Sequence, residues 1–414
     1  MGSAGGRLTE DRAVTASLPT GKRVSVQSSR FEGDPVARAV ALAPSIRAAA
    51  DEIERTRRIP EPLLTELHRS GLLRLFLPKA YGGDEVHPGV YLAAVLEVSR
   101  HDGSVGWNMF VANSSTLIAP HIPPETAAEI FSDPRALIAW GAPNACRVKA
   151  APGGYRVSGQ WDFASGCHQA TWMGAHAHVE ELDGTLRLNA AGRPTVRTLL
   201  FPVADATLCD AWNPIGMRGT GSDSYTVDDV FVPEVRSGTR ETPEGRNIPG
   251  KLFAFTMQGL YAVGVAGVSL GIAREMLAEL AKLAASKVPR GQSRLADQGL
   301  VQAEVARAEA RLGSAEAYLR AILADIYARA DAWGVIDTRD RVTVRLACAN
   351  AIHGAIEVAD IVYKLAGVSA IFPGSPFERR FRDMHTLSQQ IQSRTSHFEA
   401  VGRILLGADD PAFL

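Results

Sequence analysis

The 414-residue sequence has little cysteine and no excess of either charge. Its four cysteines are not spaced as CxxC pairs, which argues against a disulfide scaffold and against a metal site. Lysine and arginine total 44 against 45 aspartates and glutamates, so no positive field attracts nucleic acid. We therefore expect a cytoplasmic protein, in a reducing compartment, whose partner is a small molecule or another protein chain.

Long hydrophobic runs also look scarce. The chain opens without a signal-like apolar segment, and no later run is expected to reach the roughly 20 apolar residues of a membrane span. Residues 1–32 are polar and rich in glycine and serine, which predicts a flexible tail. No GxGxxG motif follows a strand-like run, so a built-in nicotinamide site is not indicated.

Residues 33–135 predict an N-terminal helical domain. Apolar side chains recur there at helical spacing, with Asp34 as the N-cap of the first helix and Pro35 at its first position. A break is expected near Asp102-Gly103, where the helical pattern is interrupted.

The pattern of apolar and turn-forming residues changes twice in the rest of the chain. Residues 136–247 contain short β-rich runs separated by glycine, proline and aspartate, which predicts a middle β-barrel domain. Residues 248–414 return to the helical period, which predicts a C-terminal antiparallel four-helix bundle. Its four long segments are expected at 251–285, 296–333, 338–367 and 378–406.

This order of domains, with several local phrases, resembles the acyl-CoA dehydrogenase superfamily over nearly the whole chain. The resemblance implies an α+β, mainly α fold: a helical domain, a β-barrel and a four-helix bundle. The phrases that carry it are IPEPLLTELHRSGLLRLFLPKAYGG, GGYRVSGQWDFASG, GMRGTGSDSYTVDDVFVP and SPFERRFRDMHTLSQQIQS.

Two branches of the superfamily differ in their catalytic residues. The dehydrogenases commonly carry a catalytic glutamate a few residues after an Arg-Asp pair. Counted from Arg382-Asp383, that position is about Ile391, which cannot accept a proton. The phrase FASGC looks more like the phenol and thiophene monooxygenases, so the reduced-flavin-dependent monooxygenase branch is favoured.

That branch implies the oxygenase component of a two-component system, which hydroxylates a small aromatic substrate. It implies reduced FMN or FAD from a separate NAD(P)H:flavin reductase, O2 as co-substrate, a flavin C4a-hydroperoxide and a homotetramer. Two alternatives remain open. One is an acyl-CoA dehydrogenase or oxidase with FAD, whose base is Glu275 or Glu357; the other is a non-catalytic flavin-binding relative.

Three residues carry the expected catalysis. The resemblance places the Ser165 hydroxyl against flavin N5, where a fixed donor stabilises the hydroperoxide; by its residues alone, Ser165 is an ordinary turn serine. The last helix of related monooxygenases carries a histidine acid or base. Gln390 stands at the aligned position and His385 lies one turn upstream, so these two residues are alternatives.

The remaining site residues are expected around the flavin. Trp161 and Phe163 should share one strand face, because side chains alternate along a strand. Cofactor contacts are implied for Trp140, Asn144, Phe163, Ser165, Arg218, Arg290 and Arg294, the last two reaching a neighbouring subunit. Substrate contacts are implied for Trp107, Asn113 and His121, although their spacing is also ordinary for a core helix.

Cys167 and His168 suggest a nucleophile with its base. If the segment is extended, adjacent side chains point to opposite faces, and a direct thiol–imidazole pair is not expected. We therefore interpret Cys167 as a buried filler.

Overall fold

The computed structural model describes residues 31–189, 192–239 and 245–408. The tail predicted at 1–32 lies almost entirely outside the described residues. Helices make up 58% and strands 16% of the structure, so the predicted mainly α, acyl-CoA dehydrogenase-like fold is confirmed.

Five α-helices form the N-terminal part of the chain from residue 31, where the described residues begin. The Asp34 carboxylate accepts the N–H groups of Val36 and Ala37, which confirms the predicted N-cap. Asp102 interrupts the helical pattern and accepts the N–H of Val105, so the predicted break is also confirmed. The helices are α1 (Pro35–Thr56), α2 (Glu61–Ser70), α3 (Pro88–His101), α4 (Gly103–Thr116) and α5 (Pro124–Phe131).

Eight strands follow and wrap around their own apolar core. The hydrogen-bonded order is β6-β7-β3-β2-β4-β5-β8, with β1 beside β4. Fully buried Tyr155, Trp161 and Tyr225 lie in this core. The strands are β1 (Ile138–Trp140), β2 (Ala142–Ala151), β3 (Gly154–Ala164), β4 (Trp172–Glu180), β5 (Val196–Pro202), β6 (Thr207–Cys209), β7 (Asp223–Pro233) and β8 (Ser237–Gly238).

The C-terminal part differs from the prediction in its last segment. The helix expected over 378–406 is two short helices, because polar side chains between them bond the backbone. The Gln390 side chain accepts the Gln392 N–H, and the Ser393 hydroxyl donates to the Leu387 carbonyl. The helices are α6 (Met257–Ser286), α7 (Gly299–Arg329), α8 (Thr338–Ala366), α9 (Glu378–Leu387) and α10 (Ser396–Leu405).

Glycines in α6 let the N-terminal helices approach its backbone closely. A Cβ at Gly264 would lie 2.6 Å from the Phe110 ring, and one at Gly271 would lie 2.4 Å from the Leu96 carbonyl oxygen. No side chain fits at such distances. These glycines therefore let α3 and α4 pack against the centre of the bundle.

Two segments contradict the expectation that no run is apolar enough to span a membrane. By length and composition, Met257–Ser286 and Thr338–Ala370 pass that test. In the fold, 89% and 56% of their apolar windows are buried. Their hydrophobicity is therefore accounted for by packing inside the protein.

Candidate active site

The end of β3 turns one aromatic residue inward and the next outward. Trp161 is fully buried and stacks on Tyr225 at 5.4 Å, whereas Phe163 is 65% exposed. The pairing register shifts between Trp161 and Ala164, and Phe163 has a φ of 61°. The prediction that Trp161 and Phe163 share a face is wrong, because the irregular strand reverses the alternation.

The start of β7 holds the turn after β3 at three successive positions. The Ser222 hydroxyl lies 2.7 Å from that of Ser165, and the Ser224 hydroxyl donates to the Asp162 carboxylate at 2.7 Å. Between them, Asp223 lies 2.6 Å from Nε2 of His168. These bonds fix the position of the Ser165 hydroxyl.

Ser165 has one further neighbour that the sequence suggested for a different role. The indole Nε1 of Trp107, expected to contact substrate, donates to the Ser165 hydroxyl at 3.0 Å. Ser222 in turn lies 2.7 Å from the Thr220 hydroxyl. Both serines and Thr220 are buried, so a row of polar groups crosses a dry part of the site.

An aromatic path leads from Ser165 to Gln390. The ring centroids of Trp107 and Phe110 are 4.6 Å apart, and those of Phe110 and Tyr261 are 4.9 Å apart. Burial raises the pKa of Tyr261, and the Gln390 side chain lies near enough to the Tyr261 hydroxyl to oppose that rise. Two residues predicted as catalytic therefore lie at opposite ends of one row of contacts.

Phe110 and Tyr261 were missed as site residues. Phe110 follows Trp107 by three positions in α4, and this spacing places both on one helix face. Tyr261 lies on α6, so its contact with Phe110 depends on the packing of α6 against α4. The sequence of either helix alone could not predict this contact.

His385 is placed differently from Gln390. Its Nε2 lies 3.0 Å from the Asp360 carboxylate, and its ring packs against Phe381 at 4.2 Å. Phe381 stacks in turn on Tyr363 of α8. His385 therefore faces α8, whereas Gln390 adjoins the aromatic path. This geometry favours Gln390 of the two alternatives.

A buried carboxylate that sequence reasoning left out fixes the loop before β7. Asp383 of α9 accepts the Met217 N–H at 2.5 Å. Burial, and then the nearby charge of Asp102, raises the pKa of Asp383 to about 7. A Cβ at Gly216 would lie 2.2 Å from the Arg382 carbonyl oxygen, so the loop packs directly against α9.

The predicted cofactor contacts from the sheet are only partly near Ser165. The Asn144 amide donates to Asp162 at 2.7 Å, close to exposed Phe163. Trp140 is buried against His176, with ring centroids 4.8 Å apart, on the side of the sheet that faces α5. Trp140 therefore packs the sheet against the helical domain.

Arg218 makes a structural contact. Its guanidinium donates to the Glu54 carbonyl, to the Asn213 amide oxygen and to the Pro214 carbonyl. These bonds join the loop that carries Thr220 to α1. Arg218 therefore links this loop to α1, and its predicted contact with the cofactor stays a prediction.

Arg290 and Arg294 lie in the exposed loop between α6 and α7. Arg294 pairs with Asp297 at 2.8 Å. This loop begins after Ser286, about 38 Å along the α6 axis from Tyr261 at 1.5 Å per residue. The arginines therefore lie far along the bundle from Tyr261, and their predicted contact with the flavin of a neighbouring subunit stays a prediction.

Two predicted substrate contacts are not at this site. Asn113 is fully buried, and its amide is used by the backbone: it accepts the Phe76 N–H and donates to the Leu72 and Met109 carbonyls. That prediction is corrected, because Asn113 holds the segment after α2. His121 ends a 3-10 turn beside β8, with its carbonyl next to Gly238.

The turn after β3 brings Cys167 and His168 close to each other. The two residues lie in a 3-10 turn, so the extended geometry assumed from the sequence is wrong. Their Sγ and ring nitrogen, with an Asp223 oxygen, lie within 4.8 Å of one another. Burial raises the Cys167 pKa to about 12, so the thiol stays protonated and is a poor nucleophile or metal ligand.

Asp223 is already saturated with hydrogen bonds. Burial opposes its charge, but the N–H groups of Trp212 and Ala211 and the His168 ring lower its pKa below the ordinary value. His168 also lines a cavity of about 460 Å³ between the end of α1 and the start of α2. The Asp223 carboxylate thus positions the turn that carries Ser165.

The carboxylates considered as dehydrogenase bases are both paired with arginine. Glu275 accepts from Arg100 at 3.1 Å, and Glu357 pairs with Arg311. Ile391, at the aligned position of the dehydrogenase glutamate, is 51% exposed. The bundle therefore presents neither carboxylate as a free base.

The surface around Ser165 suits a flavin ring. The exposed Phe163 ring stands with its edge toward Trp212, their centroids 6.3 Å apart, and offers an apolar face for stacking. Beside it, the Ser165 hydroxyl has hydrogen-bonding capacity beyond its two protein partners. Phe163 and Ser165 would hold the ring, with Asn144 and Asp162 at its margin.

Family models match both helical parts of the chain. The model described as "Acyl-CoA dehydrogenase, N-terminal domain" matches residues 37–123, and "Acyl-CoA dehydrogenase, C-terminal domain" matches residues 263–394. Together they span more than half of the sequence.

Two curated relatives cover most of the chain. The indole-3-acetate monooxygenase of Pseudomonas putida is 28% identical over 369 residues, which covers 87% of this chain and 90% of the relative. The FADH2-dependent resorcinol hydroxylase, oxygenase component, of a Rhizobium species is 27% identical over 391 residues, 89% of this chain and 92% of the relative.

Solved structures agree on the fold. XiaF from a Streptomyces species, in complex with FADH2 and glycerol, superposes with a TM-score of 0.83 at 25% identity, covering 91% of this chain and 95% of XiaF. TdsC from a Paenibacillus species, with FMN and indole, gives a TM-score of 0.76 at 24% identity, covering 91% of this chain and 98% of TdsC.

Proposed function

The chain belongs to the acyl-CoA dehydrogenase family, and on that premise we propose that it is the oxygenase component of a flavin-dependent monooxygenase. The observation that carries the proposal is the row of contacts from Ser165 through Trp107, Phe110 and Tyr261 to Gln390. These contacts connect the place for the flavin ring with Gln390, which lies between α9 and α10. The three aromatic side chains form an apolar wall between the two ends.

Reduced flavin, as FMN or FAD, supplies the two electrons with which O2 gives one oxygen atom to the substrate and one to water. Ser165 would hold the flavin ring by a hydrogen bond, and Phe163 would stack against it. Gln390, beside Tyr261, orients the substrate or the oxygen being transferred. An amide is not a proton donor of useful acidity, so its role is orientation.

We propose a small aromatic substrate. Trp107, Phe110 and Tyr261 present ring edges and faces between the two ends of the path, and such a wall packs well against another ring. Relatives named for indole-3-acetate and resorcinol support the same class. Both compounds are electron-rich rings, which accept an electrophilic oxygen atom.

A separate reductase and a homotetramer complete the proposal. The name of the resorcinol hydroxylase, "oxygenase component", supports a partner that supplies reduced flavin. In the tetramer, Arg290 and Arg294 of one copy bind the flavin phosphate of another. Their position, about 38 Å along α6 from Tyr261, supports a contact with a flavin held by a neighbouring copy.

The test mixes protein that carries photoreduced FMN or FAD with oxygenated buffer and indole, indole-3-acetate or resorcinol. A hydroxylated product that contains one atom of labelled O2 is expected, with hydrogen peroxide as the product of uncoupled turnover. A dehydrogenase would instead retain oxidised FAD and bleach it with an acyl-CoA. A flavin-binding relative without catalysis would bind flavin and release only peroxide.

A further inference from the structure

Ser165 belongs to a row of four buried polar side chains that runs from Trp107 to Thr220, and we call it the hydroxyl row. Nε1 of Trp107 lies 3.0 Å from Oγ of Ser165, which lies 2.7 Å from Oγ of Ser222. Ser222 lies 2.7 Å from Oγ1 of Thr220, which lies 2.9 Å from the Met217 carbonyl oxygen. All four side chains are 8% exposed or less, so these contacts must be hydrogen bonds.

The two ends of the row fix the direction of every bond in it. The Met217 carbonyl oxygen, which also accepts from Nε1 of Trp212 and from the Thr220 N–H, can only accept, so the Thr220 hydroxyl is the donor in their 2.9 Å contact. Thr220 must then accept from Ser222, and Ser222, with its hydrogen used, must accept from Ser165. At the other end the indole of Trp107 can only donate. Ser165 therefore has no hydrogen left and one free acceptor site, so it is not the donor to N5 that the resemblance implies.

We propose that Thr220 and Ser222 make Ser165 a hydrogen-bond acceptor toward the flavin, so that the site selects reduced over oxidised flavin. This inference rests on the proposed function. N5 of reduced flavin carries a hydrogen and donates it, whereas N5 of oxidised flavin has only a lone pair. The lone pair on N5 of oxidised flavin and the lone pair on Ser165 repel each other. The protein therefore releases oxidised flavin after turnover.

The row predicts different effects for two similar substitutions. In Thr220→Val the acceptor for Ser222 is lost, so the Ser222 hydrogen turns to Ser165 and the Ser165 hydrogen turns to the flavin. Thr220→Ser keeps the hydroxyl and the direction of the row, and serves as the matched control. Ser222→Ala also frees the Ser165 hydrogen, by removing its acceptor.

The experiment measures the dissociation constants of oxidised and of photoreduced FMN and FAD, under argon, for wild-type protein and the three variants. We expect the ratio of the oxidised to the reduced constant to fall roughly tenfold in Thr220→Val and in Ser222→Ala, as for one buried hydrogen bond. The midpoint potential of bound flavin falls with it by about 30 mV. Thr220→Ser keeps the wild-type ratio.

The outcomes separate this inference from the proposed function. Wild-type protein that binds neither form of either flavin contradicts the proposed function. Reduced flavin bound with a ratio that Thr220→Val and Ser222→Ala leave unchanged overturns the hydroxyl row alone. An equal fall in Thr220→Ser also overturns it, because that variant retains the hydroxyl. If Thr220→Val does not fold by circular dichroism, Ser222→Ala decides.

Discussion

The hydroxyl oxygens of Ser165 and Ser222 lie 2.7 Å apart, although 57 positions separate them in the sequence. The neighbours of Ser222 repeat this pairing, since Asp223 holds His168 and Ser224 holds Asp162. The start of β7 thus positions the end of β3 and the turn after it, and this segment presents Phe163 and Ser165 to the same side. A flavin bound there meets a rigid hydroxyl, as tight control of its oxygen chemistry requires.

Ser165→Ala should uncouple oxygen reduction from hydroxylation. The variant loses the contact to flavin N5 and leaves the Trp107 indole without its acceptor in a dry site, a cost of roughly 1–3 kcal/mol in stability. Peroxide per flavin oxidised should rise several-fold, and hydroxylated product should fall. Ser158→Ala is the control, because it removes a serine hydroxyl of β3 that accepts the Asp229 N–H and has no contact with Ser165. Equal coupling in both variants contradicts the role of Ser165.

The local features of the fold were predictable because their causes are local. Asp34 caps α1 and Asp102 separates α3 from α4 through bonds to N–H groups two or three residues away. The outward turn of Phe163 was not predictable, because it follows from a register shift between β3 and β7. Alternation along one strand assumes regular pairing with its neighbour.

Site residues could be predicted from the sequence only where a local phrase identifies them, and not where their role depends on a contact with a distant element. Ser165 was identified by its phrase, but its partner Ser222 and the proximity of Tyr261 to Gln390 depend on contacts between distant elements. Asn113 was predicted to contact substrate, but its side-chain amide makes its hydrogen bonds with backbone groups of the segment after α2. Sequence spacing does not report which amides the fold uses internally.

Tyr261→Phe should lower the hydroxylation rate as Gln390→Ala does. The phenylalanine keeps the aromatic wall against Phe110 and removes only the hydroxyl that lies beside Gln390. We expect kcat for hydroxylation to fall roughly tenfold in each, with reduced-flavin binding unchanged. His385→Ala is the comparison, because that side chain faces Asp360, and its rate should stay within about twofold of wild type. A larger loss in His385→Ala than in Gln390→Ala would show that the acid or base is His385.

Asp383→Asn should remove a pH dependence of stability. The folded protein holds the Asp383 proton with a pKa of about 7, raised from 3.8 mainly by burial. The native state therefore binds more protons than the unfolded chain between these values, and this contribution to stability is lost as pH rises from about 4 to about 7. Each unit of that interval is worth about 1.4 kcal/mol at most.

Asparagine is neutral at every pH and still accepts the Met217 N–H, so it isolates the charge of Asp383. Urea unfolding at pH 5, 6, 7 and 8 gives the difference in unfolding free energy between Asp383→Asn and wild type. That difference should grow in favour of the variant from pH 5 to pH 7 and then level off. A constant difference across the four pH values would contradict an Asp383 pKa near 7.

Gly264→Ala should damage both stability and the aromatic path. A methyl group there would lie 2.6 Å from the Phe110 ring and 2.8 Å from the Tyr91 hydroxyl, inside the tight packing of α4 against α6. Overpacking of this kind costs on the order of 1–3 kcal/mol. The forced shift of Phe110 should also change its contacts with Trp107 and Tyr261.

Gly313→Ala in α7 is the matched control, since the nearest atom to its new Cβ is Arg274 Nη2 at 3.9 Å. Helix propensity alone should make Gly313→Ala more stable by about 1 kcal/mol. Thermal unfolding of the two variants, with peroxide measured per reduced flavin consumed, separates the causes. We expect uncoupling in Gly264→Ala only. Normal coupling in a destabilised Gly264→Ala would mean that the position of Phe110 does not govern the path from Ser165 to Gln390.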